Sequence, residues 1–236
     1  FITQIANSLK NPNNYPMIVL ENLHVSSGWF DSSVSFGEPG YEERETIANG
    51  LQVAAASGFT DIALNANTNP VIDSHSDIAF VKSKAANSAT NLHPIGALTN
   101  GGEGIDLAEL FDMKSAGSIA FGDYKKSIEN PNLLKIALQY ASSFDGLVHS
   151  FPHEPRVAKK GVMNENITST QLGLKGLPAL AEELQIARDL FILEYTEGKL
   201  HIPTISTAKS VDLIREAKAK KLDVSCSVAI HNLMFT

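Results

Sequence analysis

Asp31-Ser32-Ser33-Val34-Ser35-Phe36-Gly37-Glu38-Pro39-Gly40 is the stretch from which the fold is read. Its first half continues the apolar pair Trp29-Phe30 and predicts a strand over residues 29–36. Ser33 and Ser35 lie two apart, so they point to one side of that strand. Glu38-Pro39-Gly40 closes it in a turn. Beyond the turn, Ile47, Leu51, Ala54 and Ala55 recur at helical spacing and stop at Gly58, a natural C-terminal cap. Strand, loop and helix make the first unit of a pattern that then repeats.

Further short apolar strands are predicted over residues 60–64, 93–98, 118–121, 146–151, 200–206 and 223–230. Helical periods lie between them. Asp106 with Glu109 resembles a capping box, and that helix ends at Gly117. Asn130-Pro131 places an N-cap before a proline in the first turn, with Leu134, Leu138 and Ala141 on one face. Leu177, Leu180, Leu184, Ala187 and Phe191 form the longest apolar stripe, closed by Gly198. Val211, Ile214 and Ala217 repeat the theme.

Strands that alternate with helices imply right-handed βαβ units and a parallel sheet. Seven strands fit either an open, doubly wound sheet or a (β/α)8 barrel whose eighth unit follows Thr236. No Gly-x-Gly-x-x-Gly or Walker-type loop follows the first strand, which argues against a nucleotide-binding fold.

Composition narrows the function. A formal charge of −7 argues against nucleic acid, which demands clustered Lys and Arg. Lys218, Lys220 and Lys221, with Arg215 a turn before, read as a solvated helix face. The single cysteine, Cys226, excludes an internal disulfide, fits a reducing cytoplasm and reads as a small core residue. No apolar run approaches the ~20 residues of a membrane span, and no signal peptide is visible. The chain opens on Phe1 and stops at Thr236, as expected of a fragment.

Residues 31–40 closely resemble the first barrel strand of dihydroorotases, which reads Asp-x-His-x-His-x-Arg-Glu-Pro-Gly. Other motifs follow in order. Ser27-Gly28-Trp29-Phe30-Asp31 resembles the family's lead-in to the barrel. Ala54-Ala55-Ala56-Ser57-Gly58-Phe59-Thr60 is similar to Ala-Ala-x-Gly-Gly-Phe-Thr. Asn67-Thr68-Asn69-Pro70 matches the turn after strand two, and residues 173–182 match the run before the fifth helix. The resemblance implies a TIM-type barrel over residues 29–236. It also implies that residues 1–28, with a strand at 17–20, are the end of a small β-sandwich, and that an eighth strand with its aspartate lies beyond Thr236.

Within that family a zinc site of histidines and carboxylates hydrolyses the cyclic amide dihydroorotate to N-carbamoyl-aspartate. By resemblance, Ser33 and Ser35 stand at the two first-strand histidines and Asp123 at the strand-four carboxylate. Phe151, or Pro152 in the neighbouring register, stands at the strand-five histidine, and Thr204 at the second histidine of strand six. Gly37 stands at the arginine that pairs with the substrate carboxylate. A serine hydroxyl is a poor zinc donor, so one carboxylate remains of the covered ligands.

The expectation is a non-catalytic dihydroorotase-like protein without zinc, a homo-oligomer or a partner of aspartate transcarbamoylase. Asn67, His201, His231 and Asn232 would line a pocket for a small acid. The competing expectation is an active zinc-dependent cyclic amidohydrolase with an atypical site, built on Asp123 and on His149, His153, His201 and His231 near strand ends. His75 and His93, at a helix start and a strand start, suggest nothing catalytic.

Overall fold

The computed structural model describes residue 4 and residues 6–234. Its elements run in chain order as β1 (Trp29–Val34), α1 (Ile47–Ala56), β2 (Phe59–Leu64), α2 (His75–Lys84) and β3 (Asn91–Gly96). A short 3-10 turn leads to α3 (Leu110–Ala116), β4 (Ala120–Phe121), α4 (Pro131–Ser142) and β5 (Val148–His149). An excursion follows, made of α5 (Pro155–Ala158), β6 (Met163–Asn164), α6 (Ile167–Gln171) and β7 (Gly176–Leu177). The main pattern resumes with α7 (Leu180–Thr196), β8 (Leu200–Ile202), α8 (Ala208–Ala219), β9 (Val224–Cys226) and α9 (His231–Met234).

Seven strands form one parallel sheet in the order β1-β2-β3-β4-β5-β8-β9, while β6 and β7 pair apart from it. This order decides between an open sheet and a barrel. A doubly wound sheet reverses its strand order at a switch point. Here every neighbour is the next main strand of the chain, as in a barrel wall. Among the described residues β1 and β9 do not pair, so the wall carries a gap between them.

Alternation along the strands separates two cores. Ile62, Leu64, Phe121, Val148, Leu200, Ile202 and Val224 face the helices and join their buried sides in the larger core. Ala63, Ile95 and Ala120, with Leu147 against them, fill the inside. Small side chains inside and bulky ones outside let the short strands curl around a narrow interior.

Local signals explain most boundaries. Thr46 caps α1 by accepting from the Asn49 amide, and Asn130 caps α4 ahead of Pro131. Gly117 ends α3 in the left-handed conformation. The capping box expected at Asp106 and Glu109 does not form: α3 begins at Leu110, and Glu109 gives no side-chain cap. The close of α7 falls at Glu197, itself left-handed, rather than at Gly198. Residues 17–20 form no strand and are exposed, for no strand among the described residues pairs with them. Residues 1–3 and 5 of the expected sandwich segment lie outside the described residues.

The apolar stripe assigned to α7 lies on the wrong face. Leu180, Leu184 and Phe191 are 53%, 46% and 73% exposed. The buried face carries Ala181, Gln185, Ile186, Asp189, Leu190 and Leu193. Two of its members are polar because they belong to a hydrogen-bonded cluster. Asp189 accepts from the Ser150 hydroxyl at 2.6 Å and from Arg188 at 2.7 and 2.9 Å. Arg188 also donates to the carbonyls of Ile128 and Glu129, tying α7 to the loop after β4. The basic run on α8 is solvated as expected, with Arg215 on Asp212 and Lys220 on Glu194. Cys226 is a free thiol, half-buried against the larger core.

Candidate functional site

The C-terminal strand ends and the gap between β9 and β1 open into one cavity of about 940 Å³. Ser33, Asn65, Asp123, His149, Phe151, Thr204 and Ser227 line it, as does His231. A smaller space of about 190 Å³, lined by Asn67, Gly102, Lys126 and Tyr41, shares Asp123 and Tyr124 with it. The structure thus brings Ser33, Asp123, Phe151, Thr204 and His231 into one mouth. Asn67 faces the annex, and Asn232 sits on α9 outside the lining residues.

Ser33 of β1 and Ser35 just beyond it are each matched with an asparagine that follows β2. Asn65 Nδ2 donates to Ser33 Oγ at 3.0 Å and to the Val34 carbonyl at 2.9 Å. Asn67 Nδ2 donates to Ser35 Oγ at 2.6 Å. The Asn67 Oδ1 atom is buried without a partner. Asp123 is buried, and its oxygens are taken up locally. Oδ1 accepts from the amides of Leu98 and Thr99 at 2.9 and 3.1 Å, and Oδ2 accepts from the Thr99 hydroxyl at 2.6 Å. Burial raises the Asp123 carboxyl above the usual carboxylate range, against the lowering effect of those bonds and of Lys126.

Across the barrel, β5 and β8 pair in register, His149 against His201. Their rings lie 4.7 Å apart between centroids. Gly122 permits the approach of β4, since a Cβ there would come within 2.5 Å of the His149 Cβ. Burial pushes His149 down to about 3, helped by the charge of His201, and pushes His201 down to about 4. Both rings are therefore neutral at pH 7. His201 bridges two hydroxyls of the next strand, Ser225 at 2.8 Å and Ser227 at 3.3 Å. Ser227 Oγ also accepts from the Thr204 amide at 3.1 Å. Thr204 has φ 60°, a left-handed conformation rare for a β-branched residue.

Position 37 is closed by main chain. Gly37 donates its amide to the Glu45 carbonyl at 2.8 Å, and its carbonyl accepts from the Tyr41 amide at 2.7 Å. A Cβ built on Gly37 would fall on the Tyr41 carbonyl oxygen. No side chain fits there unless the 41–45 turn moves.

The chain has known relatives. Residues 24–210 match the family model described as Dihydro-orotase-like. The chain belongs to the dihydroorotase family. It is 45% identical over 212 residues to a dihydroorotase of Pelotomaculum thermopropionicum, covering 90% of this chain and 50% of that one. It is 38% identical over 236 residues to a dihydroorotase of Geotalea daltonii, covering 100% and 56%. The chain thus spans about half the length of the curated relatives it matches. Among solved structures, an L-hydantoinase of Arthrobacter aurescens superposes with a TM-score of 0.68 at 16% identity, over 86% of this chain and 47% of that one. A dihydroorotase of Campylobacter jejuni superposes at 0.60 with 14% identity, over 92% and 59%. These likenesses show the fold, that of the hydantoinase and dihydroorotase barrels.

The donors of this dihydroorotase-family mouth fit zinc poorly. Zinc takes imidazoles, thiolates and free carboxylates. Here two hydroxyls are paired with amides, and the Asp123 carboxylate is engaged by three donors. His149 and His201 are brought together, yet no group of three His, Cys, Asp or Glu side chains converges among the described residues. Asn65, Ser227 and Lys125 line the mouth without having been singled out in the sequence. Asn65 could have been found, since it stands two residues before Asn67 and directly after the predicted strand 60–64.

Proposed function

We propose that this chain is a dihydroorotase-like protein of pyrimidine biosynthesis that does not hydrolyse dihydroorotate. Its barrel mouth takes up a small acid, and its role is structural or regulatory. The observation that carries this reading is the pairing of Ser33 with Asn65 and Ser35 with Asn67. Neutral hydroxyls already bonded to amides leave no basic donors where a zinc ion would need them. The buried, locally satisfied Asp123 supports the same reading. Assembly with a second copy or with aspartate transcarbamoylase belongs to the proposal. The exposed Leu180, Leu184 and Phe191 of α7 supply apolar surface for it.

A second reading has the relatives behind it. Both curated relatives named above are dihydroorotases, at 38–45% identity. On that reading the chain is an active cyclic amidohydrolase whose metal sits at an atypical site. One experiment separates the two: dihydroorotate is offered to the purified full-length protein with zinc supplied and a family enzyme beside it. No N-carbamoyl-aspartate and no bound zinc are expected. Turnover at even a modest fraction of the control overturns the first reading.

A further inference from the structure

We infer that Lys125 holds the carboxylate of the small acid in the barrel mouth. This rests on the first reading above. With position 37 filled by the Tyr41 carbonyl, a cation for an anionic ligand has to come from elsewhere on the rim. Lys125 is placed for it. It lies in the turn that follows β4, where the Lys126 amide closes on the Asp123 carbonyl at 3.1 Å. Its φ is 54°, a conformation that suits glycine and costs another residue roughly 1 kcal/mol. Of the nine non-glycine residues with positive φ among the described residues, only Lys125 and Thr204 line the cavity. The turn thus carries a long cationic side chain at a position where glycine would fit with less strain.

The ammonium group is also free to act. Lys126 is tied to the Gly102 carbonyl at 2.8 Å. Lys125 forms no ion pair among the described residues and lies over the Tyr124 ring, 5.2 Å from its centroid. The cavity carboxylates have other partners: Asp123 is held as described, and Asp31 accepts from the Ser33 amide at 3.0 Å. The same cavity is lined by Asn65, Thr204 and Ser227 as hydrogen-bonding groups and by Phe151 and Tyr124 as flat walls. A cation beside aromatic walls and neutral polar groups suits a planar, amide-bearing ring with one carboxylate. It discriminates such an acid from the same ring without the acid group.

The test is calorimetric titration of the full-length protein with orotate, and with uracil as the neutral ring. Orotate should bind and uracil should not. Lys125→Met should weaken orotate by at least about tenfold, as for loss of a charged hydrogen bond. Lys125→Arg and Lys126→Met should retain it. Lys125→Gly, which suits the left-handed turn, should keep the melting temperature and lose the ligand. Unchanged orotate binding in Lys125→Met, equal binding of uracil, or no orotate binding by the parent protein overturns the inference. Release of N-carbamoyl-aspartate from dihydroorotate would overturn the non-catalytic reading instead and leave the Lys125 titrations to be judged separately.

Discussion

The imidazoles of His149 and His201 lie 4.7 Å apart on adjacent strands, tilted by 44°, with both rings held neutral by burial. The pair makes stability depend on pH. Each histidine ionises in the unfolded chain near 6.5, but in the fold only near 3 and 4. The unfolded state therefore binds more protons as the solution is acidified. Their contribution is complete above pH 6.5 and is lost as pH falls toward 4. The size of the loss is bounded by the two shifts, each tenfold change in proton affinity being worth ~1.4 kcal/mol. Asp123 and Asp189, raised by burial, act in the opposite sense, since protonation relieves them. Thermal melts between pH 7.5 and 4.5 should show a falling midpoint. A His149→Asn/His201→Asn variant should flatten that slope, and an unchanged slope would remove the pair as its cause.

Asp123 is expected to behave as a scaffold carboxylate. Asp123→Ala would strip acceptors from the buried amides of Leu98 and Thr99, at about 1–3 kcal/mol for each unsatisfied group. Asp123→Asn keeps one oxygen for both amides and lets the Thr99 hydroxyl accept, so its melting temperature should stay within a few degrees of the parent. A metal ligand would show the reverse pattern, with zinc lost in the asparagine variant and stability dependent on zinc.

The two faces of α7 give a paired prediction. Asp189→Ala would leave Arg188 and Ser150 without their buried partner and should cost about 3–5 kcal/mol. Phe191→Ala on the exposed side should change stability by less than about 0.5 kcal/mol. Urea titrations of the two variants check both values. If Phe191→Ala proved the more damaging, the apolar stripe would be packed after all.

Glu182 anchors the loop that carries Thr204. Its carboxylate accepts from the Ser206 and Thr207 amides and from the hydroxyls of Ser206 and Ser210, at 2.6–3.1 Å. Glu182→Ala should destabilise the protein by about 1–3 kcal/mol. It should also raise amide hydrogen exchange over residues 203–210 before exchange rises elsewhere. Exchange confined to other segments would count against the anchor.

Much of the barrel was legible because strand and helix periods alternate from Trp29 onward, and β1, β2 and β3 were placed within two residues at their starts. The order of the strands was not legible, since it is a property of pairing, which no local period encodes. The α7 face misled for a related reason. Asp189 is buried with Ser150 and Arg188 as its donors, and Gln185 is buried against Asp189, pairings that no apolar period shows. At the mouth, the serines of β1 were visible at once, while their asparagine partners depend on strand register. Nothing in the sequence distinguishes Lys125; its backbone conformation and the cavity beside it set it apart.

The Tyr41 carbonyl over Gly37 has a consequence for engineering. A side chain can ordinarily be introduced by changing one codon. Here the main chain occupies the volume, so any side chain placed at 37 would meet a turn held by the bonds to Tyr41 and Glu45. Building at this corner of the barrel requires the whole 37–45 loop to be reshaped first. The loop, rather than the single residue, is the unit of change there.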